Sequence, residues 1–324
     1  MKKVLVIGGG PAGSTAARLL TKHFDVTLIQ DKIWDKPCGG GVKRKIFKMH
    51  NLDESLIKHL IDKVEMIYKN KTILLDLKGK NLAIVKRKEF DNYLRELAKK
   101  NGAKLYYGKF KGFEENKAIV KINNEKILFD FDILIAADGV NSIVRKEAKL
   151  PPIPKTITHY AKTNKIKTST CKFYFDEEIA GKYYAWAFPH EDKAHIGSVE
   201  AKFFYNFCKY LNIDEKPKGY FIPTWKENII IQKENIYFVG DAAGQVMPLS
   251  FEGIYYAIKS AEILANSIIN NLDYKKEWNR RYLKKFKFMK MLERINQSKL
   301  RKIMVNLHKY KIMQKFSVNL WLGE

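Results

Sequence analysis

A glycine-rich turn between two apolar segments dominates the first 30 residues. Residues 2–7 consist of two lysines followed by the apolar run Val4-Leu5-Val6-Ile7 with β-branched side chains, which is typical of a buried parallel strand. The turn that follows carries the pattern Gly8-x-Gly10-x-x-Gly13, residues 14–20 have helical apolar spacing, and residues 24–29 predict a second strand. A strand, a glycine turn, a helix and a second strand within about 30 residues are the context in which this pattern binds a dinucleotide.

Each glycine of this turn has its own expected role. Gly8 permits the tight turn, Gly10 lets the backbone approach a pyrophosphate, and Gly13 lets the helix pack closely against the strand. The N-terminus of the helix, near Pro11 and Ala12, then offers free N–H groups and the positive end of the helix dipole to the phosphates. These five residues are therefore expected to surround a pyrophosphate.

The end of the second strand departs from the usual pattern. An acid that binds the ribose hydroxyls usually stands there, but this chain has Gln30, followed by Asp31. A glutamine can still hydrogen-bond a hydroxyl, although without charge assistance. We predict that Gln30 binds the ribose, with Asp31 as the alternative.

The charge of the chain admits two interpretations. There are 60 Lys and Arg residues against 35 Asp and Glu, which gives a net charge of +25. Such an excess favours anionic partners, either nucleic acid or the anionic face of a membrane. The chain is also rich in Lys, Ile and Asn throughout, so the excess is equally explained by a general compositional bias.

The cysteines and the apolar segments indicate a cytoplasmic protein. Cys38, Cys171 and Cys208 share no metal-ligand or CxxC spacing, so neither a metal site nor a disulfide framework is expected. No apolar segment approaches 18 residues, and a strand begins within a few residues of Met1, which leaves no room for a signal peptide. A peripheral position on the inner face of the cytoplasmic membrane is compatible with this assignment.

The pattern along the chain predicts an α/β protein with two domains and C-terminal helices. A Rossmann-like domain is indicated by parallel-type strands near residues 4, 131 and 236, whereas alternating strands after Pro154 indicate an antiparallel sheet. The expected boundaries are 1–60, 80–152 and 233–272 for the discontinuous dinucleotide-binding domain, 61–79 and 153–232 for the antiparallel substrate domain, and 273–324 for basic C-terminal helices.

Two further glycine–acid pairs, Asp138-Gly139 and Gly240-Asp241, follow predicted strands. Together with the first turn they resemble the FAD-binding domain shared by the aromatic hydroxylases and their relatives. Within that superfamily, residues 36–41, 184–189 and 253–257 are similar to the geranylgeranyl reductase family, and the resemblance covers about residues 1–270. It implies an aromatic-hydroxylase-like fold and hydrogenation of isolated double bonds in the prenyl chains of lipids, chlorophyll precursors or quinones.

The resemblance also implies roles for individual residues. Asp241 would bind the ribityl–phosphate region of FAD, Arg87 would contact the cofactor, and Cys38 would lie near the isoalloxazine ring. The complete set of expected cofactor contacts is Gly8, Gly10, Pro11, Ala12, Gly13, Gln30, Asp31, Cys38, Gly39, Gly40, Arg87, Asp138, Gly139, Gly240, Asp241, Gly253 and Ile254. The expected substrate cavity contains Tyr184, Trp186, Phe188 and Phe251. The catalytic candidates are Cys38, Tyr184 and Trp186.

Several positions depart from the family pattern. Phe251 stands where the family usually has glycine, and Met247 replaces a common asparagine before Pro248. Both lie where the reacting face of the flavin is expected. The chain is also shorter than many members, with fewer residues between Gly197 and Gly240. His190 and His195 are expected to be surface or sheet residues rather than catalysts.

The sequence is compatible with two sources of electrons and with more than one reaction. No second G-x-G-x-x-G pattern is present, so electrons are expected from transiently bound NAD(P)H or from a small acidic redox protein such as ferredoxin. The leading hypothesis is hydrogenation of a membrane isoprenoid. The alternatives are an FAD-dependent aromatic or quinone-ring monooxygenase and a non-catalytic flavin electron carrier at the membrane, with an RNA-modifying flavoenzyme as a more distant one.

The basic C-terminal segment has three interpretations. In the first, the segment contacts a membrane, with Lys and Arg at the headgroups and Trp278, Phe286 and Phe288 reaching inward. In the second, it packs on the flavin domain as a solvated helix. In the third, it binds nucleic acid, which is the least favoured interpretation because no recognised RNA-binding motif accompanies the segment.

Overall fold

The computed structural model of the protein describes residues 1–323. Its strands in chain order are β1 (Lys3–Ile7), β2 (Asp25–Gln30), β3 (Gly41–Lys43), β4 (Ile57–Ile61), β5 (Lys63–Tyr68), β6 (Lys71–Asp76), β7 (Leu82–Val85), β8 (Lys104–Tyr107), β9 (Lys109–Glu114), β10 (Lys117–Ile122), β11 (Glu125–Phe129), β12 (Ile133–Ala136), β13 (Lys155–Thr163), β14 (Cys171–Tyr174), β15 (Ala185–His190), β16 (Lys193–Val199), β17 (Lys218–Pro223), β18 (Gln232–Lys233) and β19 (Ile236–Phe238). The α-helices are α1 (Pro11–Leu20), α2 (Lys45–His50), α3 (Arg87–Lys100), α4 (Ile143–Glu147), α5 (Glu177–Ala180), α6 (Ala201–Tyr210), α7 (Ile254–Ile269), α8 (Tyr274–Trp278), α9 (Lys284–Asn296), α10 (Arg301–Leu307) and α11 (Lys311–Leu322).

The chain divides into two compact units. Unit 1 contains residues 1–35, 88–155 and 222–289, and unit 2 contains residues 36–87, 156–221 and the chain from 290 onward. The boundaries expected from the sequence assign 36–60 and 80–87 to the dinucleotide-binding domain, whereas the structure groups them with the antiparallel unit. The physical reason is a small antiparallel sheet in which β3 and β4 both pair with β7.

Unit 1 is built on a six-stranded sheet in the order β18-β19-β12-β1-β2-β8. Strand β1 pairs in parallel with β12 and β2, and its residues Val4, Leu5 and Val6 are almost fully buried. A parallel strand is covered on both faces, which explains why this run is continuously apolar in the sequence. Helices α1 and α7 lie against each other, and β9–β11 form a separate antiparallel sheet.

An aromatic cluster lies in the core of unit 1. The ring centroid of Tyr256 in α7 is 5.0 Å from that of Phe286 and 5.4 Å from that of Tyr282, and Trp278 lies 5.7 Å from Phe286. Trp278 and Phe286 are 6% and 1% exposed. The expectation that these two side chains reach into a membrane is therefore wrong, because they are the residues that attach α8 and α9 to α7.

Unit 2 is built on a seven-stranded sheet in the order β17-β13-β16-β15-β14-β5-β6. Strand β16 pairs antiparallel with β13 and β15, β15 pairs antiparallel with β14, and β5 pairs antiparallel with β6, whereas β14 pairs in parallel with β5. On one face, Ala185 and Ala187 of β15 pack in an apolar core with Phe204 and Phe207 of α6. The alternate residues of β15 lie on the opposite face. The α/β class, the antiparallel second sheet and the C-terminal helices are confirmed.

Candidate cofactor and substrate site

The glycine turn of unit 1 has the geometry that the sequence predicts. Gly8 has φ +103°, and a Cβ there would lie 2.3 Å from the carbonyl oxygen of Ala137. A Cβ on Gly13 would lie 1.8 Å from the carbonyl oxygen of Gly8. Gly8 therefore lies directly against the main chain that follows β12, and Gly13 lets α1 lie directly against the turn after β1, so only glycine fits at either position.

Gly10 faces open space at the N-terminus of α1. A Cβ on Gly10 would meet no atom within 4 Å, in contrast to Gly8 and Gly13. Pro11 is the first helical residue, and no acidic side chain stands in the first turn. An open space in front of the N–H groups of a ten-residue helix fits a pyrophosphate.

Gln30 stabilises the glycine turn from the end of β2. Its Oε1 accepts a 2.6 Å hydrogen bond from the N–H of Gly9, and its Nε2 donates a 2.6 Å bond to the carbonyl of Lys32. A buried residue, Arg95 of α3, also contacts the turn and donates to the carbonyl of Gly9 at 2.9 Å. Since an amide nitrogen has two hydrogens, one hydrogen of Gln30 Nε2 lies outside this bond to Lys32, and ribose binding by Gln30 stays a prediction. Asp31, the alternative, is exposed.

Asp138 and Gly139 form the second glycine–acid pair, directly after β12. The carboxylate Oδ2 of Asp138 accepts a 3.0 Å hydrogen bond from the N–H of Val144, and burial raises the pKa of Asp138. Gly139 has φ +86° and faces open space, so a ligand could approach its backbone. Asp138 therefore fixes the turn, and Gly139 leaves room in front of it.

The third pair, Gly240-Asp241, is held by a buried hydrogen-bond network. The N–H of Gly240 donates to Gln245 Oε1 at 2.9 Å and to Ser260 Oγ at 3.0 Å. Gln245 Nε2 donates to the hydroxyl of Tyr274 at 2.8 Å, and that hydroxyl donates to the carbonyl of Phe238 at 3.2 Å. Burial raises the pKa of Tyr274, so its hydroxyl stays protonated. The sequence gives no local sign of this network.

Asp241 is half-buried at the start of a 3₁₀ turn that follows this network. A Cβ on Gly253 would lie 3.5 Å from Asp241 Oδ1, so Gly253 keeps space beside the carboxylate. Gly253 also precedes Ile254, the first residue of α7. Asp241, Gly253 and Ile254 are thus brought together in unit 1.

Phe251 has a backbone conformation that favours glycine. Its φ is +52°, in the left-handed region, and Leu249 nearby has φ +67°. A bulky residue in this region is strained. Glycine, which the resemblance leads us to expect at this position, would adopt this conformation without strain, whereas this chain places a half-buried aromatic ring there.

In unit 2, the loop around Cys38 packs against the aromatic strand β15. Cys38 is half-buried, and its Sγ accepts a 3.3 Å hydrogen bond from the N–H of Gly40. A Cβ on Gly39 would lie 2.6 Å from the ring of Phe188, and a Cβ on Gly40 would lie 2.3 Å from the carbonyl of Val85. The glycines therefore let the loop lie directly on β15 and on the end of β7. Arg87, 6% exposed, begins the helix after β7.

Tyr184, Trp186 and Phe188 share one face with Phe173 of β14. The ring centroid of Phe173 is 5.4 Å from Tyr184 and 5.2 Å from Phe188, and Tyr184 lies 6.1 Å from Trp186. Gly197, opposite Trp186 in β16, makes room for the indole, since a Cβ there would lie 2.1 Å from that ring. These residues form a continuous aromatic surface, which we call the aromatic wall.

His190 and His195, which are predicted to be surface or sheet residues, are buried in the sheet, in β15 and β16, beside this wall and under the Cys38 loop. The rings of His190 and His195 stack with centroids 3.5 Å apart and an interplanar angle of 18°. His195 Nδ1 lies 3.3 Å from the carbonyl oxygen of Cys38 and 3.1 Å from the hydroxyl of Tyr160. Burial lowers the pKa of His190 to about 4 and that of His195 to about 2, so both rings are neutral at physiological pH.

Two features are absent from residues 1–323. No helix in this part of the chain is long and apolar enough to cross a membrane. The same residues contain no group of three His, Cys, Asp or Glu side chains placed to hold a metal ion.

The fold of unit 1 and its three glycine–acid turns define the class of the protein. Residues 1–230 match the FAD binding domain family, and the open cradles at Gly10 and Gly139 fit a dinucleotide. The protein is an FAD-dependent oxidoreductase.

Known proteins narrow this class. The chain is 30% identical over 283 residues to the geranylgeranyl diphosphate reductase of Rhodobacter capsulatus, covering 78% of this chain and 71% of that protein. It is 28% identical over 350 residues to the digeranylgeranylglycerophospholipid reductase of Methanocaldococcus jannaschii, covering 97% and 87% of the two chains. A geranylgeranyl bacteriochlorophyll reductase-like structure from Thermoplasma acidophilum superimposes with a TM-score of 0.85 at 22% identity, covering 98% and 96%. The chain belongs to the geranylgeranyl reductase family.

Proposed function

We propose that this enzyme hydrogenates isolated C=C bonds in the prenyl chain of a membrane isoprenoid, either a prenyl lipid or a quinone side chain. The observation that carries the proposal is the aromatic wall of unit 2, which packs directly against the Cys38 loop. The relatives are named for reductases of geranylgeranyl diphosphate and of a digeranylgeranyl phospholipid. A prenyl chain has only apolar groups to offer, so an aromatic surface is the complementary one.

The reaction requires a dry, ordered site. An isolated alkene is a poor electrophile, so it must be held in contact with the hydride donor while water is excluded. Reduced FAD, when bound, supplies the hydride to one carbon. The other carbon needs a proton. Tyr184, Trp186 and Phe188 would align the chain and exclude water, while the three turns of unit 1 would bind the dinucleotide.

Cys38 is the candidate for orienting the reacting end of the substrate and for delivering the proton. Its Sγ accepts the N–H of Gly40, which leaves the thiol hydrogen free to point elsewhere. Cys38→Ala should keep FAD but slow alkene reduction, and Cys38→Ser is the matched control that restores a proton donor. If Cys38→Ala turns over at the wild-type rate, Cys38 has no part in the reaction.

The proposed electron donor is NAD(P)H or a small acidic redox protein of the ferredoxin type. The net charge of +25 would speed association with an acidic protein and make it sensitive to salt. Reduction of the bound flavin by each donor, measured at low and high ionic strength, separates the two.

The decisive experiment is mass spectrometry of total lipids and quinones from cells with and without this protein. A gain of two hydrogens per reduced double bond in one lipid class is the expected result. Trp186→Ala should retain FAD but abolish the gain of hydrogens. Tyr205→Ala, on the exposed surface of α6, should retain both FAD and the gain of hydrogens. A product that contains an added oxygen atom, or no change in saturation with FAD fully bound, would refute the proposal.

A further inference from the structure

Helices α10 and α11 of unit 2 expose an unusual number of large apolar side chains. The exposed fraction ranges from 40% for Leu307 to 78% for Ile312. The exposed apolar residues of this segment are Leu300, Ile303, Leu307, Tyr310, Ile312 and Phe316. Large apolar side chains that are exposed within one short segment of a folded chain mark a candidate interaction surface.

These side chains lie opposite the faces by which the helices pack. In α10, Arg301, Val305 and His308 are buried with helical spacing, whereas Ile303 and Leu307 are exposed. The same division holds in α11, where Val318 and Leu322 are buried and Ile312 and Phe316, four residues apart, are exposed. The exposed apolar residues are therefore not a continuation of the core.

The surface belongs to a fixed element. The buried guanidinium of Arg301 donates hydrogen bonds to the carbonyl oxygens of Phe175 at 3.1 Å and Gly181 at 2.6 Å, which attaches α10 to the rest of unit 2. His308 Nε2 lies 2.8 Å from Ser317 Oγ, and Gln314 Nε2 donates to the carbonyl of His308 at 2.8 Å. Because these bonds join α10 to α11, the apolar side chains cannot turn inward without breaking them.

The charge of this segment identifies what would cover it. Residues 294–323 contain no Asp or Glu. The exposed basic residues among them are Arg294, Lys299, Lys302, Lys309, Lys311 and Lys315. A second copy would bring like charges together, and a nucleic acid would leave the apolar side chains without apolar contacts. A bilayer with anionic headgroups satisfies both groups, since lysines meet phosphates while Ile, Leu and Phe enter the acyl boundary.

We propose that α10 and α11 form the surface by which this enzyme lies on an anionic membrane. The inference rests on the proposed function, in which the substrate is a membrane isoprenoid. The membrane contact is therefore assigned to the exposed residues between 300 and 316 and not to Trp278 and Phe286, which are buried.

The test is sedimentation of the full-length, FAD-loaded protein with vesicles. Vesicles of phosphatidylglycerol and phosphatidylcholine should carry the protein down, and vesicles of phosphatidylcholine alone should bind it much more weakly. Ile312→Ser combined with Phe316→Ser should weaken binding by about tenfold or more. Ile127→Ser, at an exposed apolar side chain of unit 1, should leave vesicle binding unchanged.

Four results would overturn the proposal. If the double variant binds vesicles as strongly as the wild type, α10 and α11 are not the membrane surface. If the wild type binds neutral vesicles as strongly as anionic ones, the surface does not recognise an anionic membrane. A vesicle-independent dimer that the double variant loses would identify a second copy as the occupant. Capture by an acidic protein bound to resin, with no binding to vesicles, would identify a protein partner.

The inference and the proposed function can fail separately. The double variant should reduce a detergent-dispersed prenyl substrate at the wild-type rate, because neither side chain belongs to the aromatic wall. If the wild type binds vesicles but reduces no alkene, the membrane-surface proposal is supported and the proposed function is refuted. If it reduces the alkene but does not bind vesicles, only the membrane-surface proposal is refuted.

Discussion

Acidification should destabilise the protein through the buried histidine pair. Burial lowers the pKa of His190 to about 4 and that of His195 to about 2, from an ordinary value of 6.5. Lys162 and His59 lower the pKa of His190 further, while Glu191 opposes this. Because both folded-state pKa values lie below the unfolded value, the unfolded chain binds protons first as the pH falls.

The magnitude follows from this linkage. The stabilisation is complete above pH 6.5 and is lost as the pH falls from there towards the folded-state values. At about pH 5, a histidine protonated in the unfolded state and neutral in the folded state reduces the free energy of unfolding by about 2 kcal/mol relative to neutral pH. The pair should therefore account for up to about 4 kcal/mol, a large part of the stability of a typical domain.

The assay is urea unfolding followed by circular dichroism at about pH 7.5 and pH 5. His190→Phe keeps a ring stacked on His195 but removes one titratable group, so its loss of stability on acidification should be smaller than that of wild type by about 2 kcal/mol. His23→Phe, at an exposed position, is the control and should follow wild type. If His190→Phe loses as much stability as wild type, the histidines are not held neutral and the reasoning fails.

Three predictions concern the FAD site of unit 1. Asp241→Ala should lower FAD occupancy, read from the flavin absorbance of the purified protein; tight, full occupancy would count against its assigned role. Gly13→Ala places a methyl group 1.8 Å from a main-chain oxygen, so it should lower both the melting temperature and FAD occupancy. Gly10→Ala meets no such atom and should fold normally but lose FAD. Normal FAD binding by Gly10→Ala would contradict the phosphate site. Tyr274→Phe should destabilise the apoprotein by about 1–2 kcal/mol, because it removes a buried hydroxyl from the Gly240 network; an unchanged urea midpoint would show that the network is dispensable.

The glycine turns could be predicted because their requirements are local. The spacing of Gly8 and Gly13 alone predicts that a strand and a helix approach closely, and the structure confirms this approach. The bond from the Gly9 N–H to Gln30 could not be read in the same way, since it depends on β2 lying beside β1. Tyr274, about 30 residues from Gly240 in the sequence, acts on that glycine only through tertiary contacts.

The histidine pair was missed although the sequence contained a signal for it. The alternation that places Trp186 and Phe188 on one face of β15 extends by one step to His190. His195 could not be added from the sequence, because its place depends on the antiparallel register that sets it opposite Phe188. Helical aromatic spacing likewise predicts that Trp278 and Phe286 share a face without saying that α7 covers it.

A dry substrate wall requires polar groups that are satisfied without water, and His195 meets this requirement. A protonated imidazole beside the aromatic wall would attract water and counter-ions, which would oppose the burial of a prenyl chain. A neutral His195 can instead receive the hydroxyl hydrogen of Tyr160 or donate to the carbonyl of Cys38, depending on its tautomer. The low pKa of the pair and the apolar wall are thus consequences of the same burial. The proposed reaction should therefore fail in acid only where the fold itself begins to lose stability.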